Sequence, residues 1–166
     1  AQGSNAAVPG ADTPWSLVEG EQLAPGKDIE LQYDNGQGLV FTRHIAVDAN
    51  YVFTIADSVD NRGTAPVMLS PYALVYRSKL PATTRYWVVH EGFIGVFNGT
   101  LNDPTYATLA KTNETQHFDS QGGWLGITDK YWMAAVIPPQ SEQMAATYKA
   151  YDADGAKAYQ SDYLLK

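Results

Sequence analysis

The 166 residues suffice for one domain of ordinary size, whose folding removes roughly 70% of the extended chain's surface from water, so a core needs neither metal nor disulfide. With 45% hydrophobic and 17% charged residues the sequence is globular rather than disordered. Its formal charge of −7, unrelieved by any Lys/Arg cluster, makes nucleic acid a poor partner and disfavours lying flat on an anionic membrane. The absence of cysteine removes disulfides, thiol catalysis and Cys-ligated zinc.

In chain order, residues 1–14 are mostly Ala, Gly, Pro, Asn and Asp and read as a flexible lead-in, with order expected from Trp15-Ser16-Leu17. Ile29 to Tyr33 alternates apolar and polar residues, and Asp34-Asn35-Gly36 supplies a turn. From Leu39 the period is two: Leu39, Phe41, Ile45 and Val47 share one face, Thr42 and His44 the other. Asp48-Ala49-Asn50 turns the chain. Tyr51, Phe53 and Ile55 then repeat the pattern against Thr54, Ala56 and Ser58. After the turn at Asp60-Asn61-Arg62-Gly63, Val67 to Tyr76 is expected as the third strand of an antiparallel meander. Pro71, lacking an N–H, places it at an edge or a bulge.

Further strands are expected at Tyr86 to His90, Phe93 to Phe97, Trp124 to Thr128, Tyr131 to Ile137 and Met144 to Tyr151. Asn98-Gly99 and Asp154-Gly155 are tight-turn dipeptides, and Asp103-Pro104 marks a loop. No 12-residue segment carries a 3.6 period, so the fold class is all-β, with a sandwich as the default arrangement. The longest apolar run, Tyr131 to Ile137, stops at Pro138-Pro139, far short of the about 20 residues of a membrane helix. The final residues, Tyr159 to Lys166, read as a strand cut short, as in a fragment of a longer protein.

Catalytic chemistry finds little to work with. His44, His90 and His117 are scattered, and none belongs to a zinc-binding His-Glu-x-x-His. Neither a Gly-x-Ser-x-Gly elbow nor a phosphate-binding glycine loop occurs. Asp152-Ala153-Asp154-Gly155 has its glycine at the fourth rather than the sixth place of a calcium loop and is better read as a hairpin turn. Asn98-Gly99-Thr100 and Asn113-Glu114-Thr115 fit a glycosylation pattern that matters only in a eukaryotic secretory pathway. Glu91, Asp119 and Asp129 lie beside aromatic-rich strands and are the carboxylates that sugar chemistry would use. Aromatic strand residues more often form core.

Four stretches together resemble one family: Phe41-Thr42-Arg43 through Asp48-Ala49-Asn50-Tyr51-Val52-Phe53, Pro71-Tyr72-Ala73-Leu74-Val75, His90-Glu91-Gly92-Phe93-Ile94-Gly95-Val96, and Gly122 through Ile137-Pro138. In this order and spacing they are similar to the large periplasmic domain of the YidC membrane protein insertases of Gram-negative bacteria, closest in wording to alphaproteobacterial members, from about Trp15 onward. The last two stretches are the specific ones.

The resemblance implies a single domain over residues 15–166, an antiparallel β-supersandwich similar to galactose mutarotase. This chain is shorter than the family's domain at both ends, so the sandwich is expected to be incomplete, or completed by a neighbouring chain. The resemblance also implies a non-catalytic scaffold and interaction module, without cofactor or metal, on the periplasmic face of the inner membrane. Its expected partners are the Sec translocon with its accessory complex and nascent inner-membrane proteins. Membrane contact is expected only through parts of the protein outside this chain.

The alternative is a carbohydrate-binding or mutarotase-like domain. His90 and Glu91, adjacent on an expected strand, would point to opposite faces and could not serve as its acid–base pair. Trp124, Tyr131 and Trp132 are the candidate interaction groove, although core packing is the plainer role for all three.

Overall fold

The computed structural model describes residues 6–79, 90–112, 114–153 and 155–166, which fall into two compact units, Ala1–Leu69 and Ser70–Lys166. The expected strand at Tyr86 to His90 lies outside the described residues except for His90, which is not in a strand.

The first unit is one antiparallel sheet in the order β1 (Ser16–Glu19), β2 (Ile29–Asp34), β3 (Leu39–Val47) and β4 (Phe53–Asn61). Short polar side chains close its turns. Asn35 Oδ1 accepts from the amides of Gln37 at 2.8 Å and Leu39 at 3.0 Å, fixing the Asp34↔Val40 register of β2 on β3. Asp48 Oδ1 accepts from Asn50 at 2.8 Å and Val52 at 2.9 Å, which sets Val47 opposite Phe53. The period-two pattern puts Tyr33, Phe41 and Phe53 on one face. There Tyr33 stacks on Phe41 with ring centres 6.1 Å apart, and Leu39, Phe41 and Val47 are buried.

The meander differs from expectation in its third strand. Val67 to Pro71 is not strand, and β5 (Tyr72–Ser78) pairs with β12 (Ala156–Leu165) of the second unit rather than with β4. The carbonyl of Pro71 accepts from Leu165 N at 2.9 Å, and β5 is an edge strand among the described residues, which suits a proline at its entry.

The second unit is a sandwich. One sheet runs β5–β12–β11–β8, with β8 (Gln116–Gln121) and β11 (Gln143–Ala153). The other runs β10–β9–β6–β7, with β6 (Gly92–Phe97), β7 (Thr100–Asn102), β9 (Trp124–Thr128) and β10 (Met133–Val136). Alternation aims Phe93, Phe97, Leu125 and Ile127 at Met144, Ala146, Tyr148 and Tyr159 across the layers, in one buried cluster. The all-β class and the antiparallel sandwich are as the sequence led us to expect.

The sequence reading missed strands β1, β7 and β8 and also helix α1 (Tyr106–Thr112), too short for its 12-residue window. Thr105 Oγ1 accepts from Thr108 N at 3.2 Å, an N-cap, and Tyr106 and Leu109 are buried in the shared core. Asn98 and Gly99 take φ of 49° and 78°, the paired positive values of a tight hairpin turn between β6 and β7. Gly155 (φ 74°) turns β11 into β12, whereas Asp154 lies outside the described residues.

Candidate functional site

The expected interaction residues sit on the β9–β10 hairpin. Its turn is held by Asp129 N donating to Trp132 O at 2.7 Å, with the reverse bond at 3.4 Å. Lys130 and Tyr131 therefore occupy the tip, one residue later than Asp129-Lys130, the pair left between the expected strands Trp124 to Thr128 and Tyr131 to Ile137. Tyr131 and Trp132 are each 79% exposed, so neither is core. They sit past the last paired residues of the hairpin, Thr128 and Met133.

Trp124 begins β9 and pairs with Val96. It is half-buried and stands four residues from Thr128 at the other end of the strand, or about 13 Å at strand rise. The three rings thus do not converge in one groove. One edge of the hairpin's anchorage was invisible from its own sequence: Arg77 Nη1 of β5 donates to Asp129 Oδ2, tying the turn to the opposite sheet, with both side chains mostly buried.

Register places Trp124, Ile94, Val96, Leu101, Met133 and Ala135 on the outer face of that sheet. Among the described residues no strand position on this face is charged, and Leu101 and Met133 are more than half exposed. The outer face of the opposite sheet is different. Gln160 Nε2 donates to Tyr72 OH at 2.8 Å and to Asp162 Oδ2 at 2.6 Å, Tyr151 OH donates to Gln160 Oε1 at 3.3 Å, and Lys149 Nζ lies 3.3 Å from Asp162. Gln160 and Asp162 are buried in this network, and their polar groups are spent on one another.

The candidate chemical groups are dispersed. His44 lies 3.3 Å from Asp28, His90 Nε2 meets Phe93 O at 2.8 Å, and His117 is exposed on β8. His90 and Glu91 precede β6 instead of lying on a strand, so strand alternation does not govern them. Asp119 pairs with Lys166 at 2.6 Å, and Asp129 with Arg77. Among the described residues, no group of three or more His, Asp or Glu is placed to hold a metal ion, and no helix is long and apolar enough to cross a membrane. A shallow concavity of about 280 Å³ in the first unit is lined by Asn35, Asn61 and Gly63 among others. Its amides are committed to local turns: Asn61 Nδ2 donates to Ala65 O and Asn61 Oδ1 accepts from Gly63 N.

Two buried phenols stand apart from these. Among the described residues the hydroxyls of Tyr106 and Tyr148 have no hydrogen-bond partner, and burial pushes both well above the ordinary phenol value of 10.0. For Tyr106 the neighbouring Asp129 adds to the rise and Arg77 opposes it. The folded state therefore keeps protons that the unfolded chain releases above pH 10. Stability is unaffected below that value and falls above it by about 1.4 kcal/mol per pH unit for each tyrosine. Urea unfolding at stepped alkaline pH checks this, and a flat profile above pH 10 would contradict the burial account.

A family model described as the YidC periplasmic domain matches residues 1–166. The chain is 42% identical over 160 residues to a membrane protein insertase YidC of Sinorhizobium fredii, covering 96% of this chain and 27% of that protein. It is 43% identical over 165 residues to the protein of the same name from Nitrobacter hamburgensis, covering 99% and 27% respectively. For the Rhizobium johnstonii protein the identity is 46% over 157 residues, covering 94% and 26%. The chain spans about a quarter of the length of the curated relatives it matches. With the match to the family extending over the whole chain, residues 1–166, and with antiparallel sheets in both of its units, the chain belongs to the YidC periplasmic-domain family.

Proposed function

We propose that the chain is a non-catalytic docking module on the periplasmic face of the inner membrane, part of a longer insertase that handles nascent inner-membrane proteins beside the Sec translocon. Family membership supports this reading over a carbohydrate-binding one. The carrying observation is β4. It is an edge strand whose nine residues are all exposed, with Phe53, Ile55 and Val59 on one face at 58%, 57% and 42%. A long edge without proline, carrying exposed apolar side chains that flank the Arg43–Asp57 ion pair, can take an added strand from a partner: main-chain bonds give affinity and alternate side chains give selectivity.

A photo-crosslinker placed at Ile55 of the longer polypeptide in native membranes tests this. Adducts with Sec components or nascent membrane proteins are expected there, and not from Gln32 on the sheet's opposite face. Absence of both kinds of adduct at Ile55 refutes the docking role of β4.

A further inference from the structure

We infer that the Lys130–Trp132 turn, with the uncharged sheet face behind it, rests in the interface of a lipid bilayer. Hairpin tips that meet only water are built from Gly, Asn, Asp and Ser. This one is Lys-Tyr-Trp, with both rings 79% exposed and Lys130 Nζ 5.1 Å from the Tyr131 ring centre. Trp and Tyr favour the boundary between headgroups and acyl chains, and a lysine there lays its stem along apolar surface while its ammonium stays in water.

Charge supports the same occupant. The Asp129 carboxylate is matched by Arg77, so the turn itself is cationic in a chain of net charge −7. Behind it Met133, at 52% exposure, and Ile137, at 70%, continue the apolar surface along β10 and just past its end. The face of Trp124, Ile94, Val96, Leu101, Met133 and Ala135 carries no charge, while the outer face of the other sheet carries Lys149, Asp162 and Asp119.

A second β-layer would cover residues within the strands, yet the two most exposed rings among the described residues lie beyond the strand ends. An added strand is disfavoured on this edge, because β10 is only four residues long and Pro138-Pro139 follows Ile137. The acidity of the remaining surface sets the mode of contact. Anionic lipid repels it, so attachment depends on insertion of apolar groups at the tip and not on attraction to lipid charge.

The test needs only the purified 166-residue chain, so its result is independent of crosslinking at β4. The chain is sedimented with phosphatidylcholine vesicles, with and without phosphatidylglycerol, and its tryptophan fluorescence is quenched with ring-depth brominated lipid. We expect binding to neutral vesicles, no gain from phosphatidylglycerol, and quenching that is lost in Trp132→Phe. The double variant Tyr131→Ser/Trp132→Ser should lose roughly tenfold in partitioning while keeping the parent's melting curve, since both side chains are largely in solvent. Failure to bind, equal binding by the double variant, or binding that requires phosphatidylglycerol and vanishes in salt overturns the inference. So does a concentration-dependent dimer, abolished by the same variant in the absence of lipid, because the surface would then serve a second copy.

Discussion

Truncating Tyr148 to alanine lowers the unfolding free energy by about 3–5 kcal/mol, whereas Tyr148→Phe leaves it unchanged or raises it by up to about 1 kcal/mol. Tyr148 is fully buried at the centre of the sandwich. Its ring stacks on Phe93 at 4.9 Å, lies 5.1 Å from Phe118 in an edge contact, and tilts against Phe97 at 5.7 Å. Removing it leaves a ring-sized cavity between two sheets whose strands cannot collapse into it, and three aromatic contacts are lost together.

The hydroxyl is a separate matter. It has no hydrogen-bond partner among the described residues and lies where a side chain at Gly95 would otherwise stand. A buried hydroxyl without a partner has lost its water without replacement, so deleting it removes a penalty. Urea unfolding of the three proteins, with unchanged m-values, measures both effects. A loss above about 1 kcal/mol in Tyr148→Phe means that the hydroxyl does have a partner and the packing account is wrong.

What the sequence revealed and what it hid follow from the range of the forces. β3 and β4 were legible because period-two alternation and Asp48 or Asn35 turns act over a few residues. The positive-φ pair Asn98-Gly99 was legible for the same reason. Helix α1 was not, since seven residues complete fewer than two full periods and its stability comes from burying Tyr106 and Leu109 in a core assembled elsewhere.

The exposure of Tyr131 and Trp132 was misjudged because composition cannot place a turn to within one residue. Shifting the tip from Asp129-Lys130 to Lys130-Tyr131 moves two rings from the sheet into solvent. Long-range polar pairs left no local trace at all. Tyr72 meets Gln160 across 88 positions, and Arg77 meets Asp129 across 52. The Val67 to Tyr76 strand failed on partner choice: its apolar residues were read correctly from Tyr72 on, but its partner is β12 rather than β4.

The run Gly122 to Trp132, within one of the stretches that carry the family resemblance, owes its opening glycines to a corner. There the chain leaves β8 of one sheet and enters β9 of the other, and Gly122 and Gly123 take φ of 59° and 96°. The side chain of Gln140 closes the corner: its Oε1 accepts from Gly123 N at 2.9 Å, and its Nε2 donates to Gly123 O at 2.9 Å. A Cβ at position 123 would run into the carbonyl oxygen of Val96, with the carbonyl carbon 3.2 Å away. That obstacle is backbone of β6, held in the sheet by its pairing with β9, and cannot rotate aside as a side chain would.

Gly123→Ala is therefore expected to cost about 3 kcal/mol or more, from a disfavoured φ together with displacement of β6. Gly99→Ala supplies the reference, because Gly99 has φ of 78° with no atom within 4 Å of an added Cβ, leaving only the torsional cost of about 1 kcal/mol. Chemical denaturation of the two variants separates torsion from collision. Equal losses would mean that the corner relaxes freely, and that Gly123 answers to the backbone angle alone and not to the close approach of the β6 backbone.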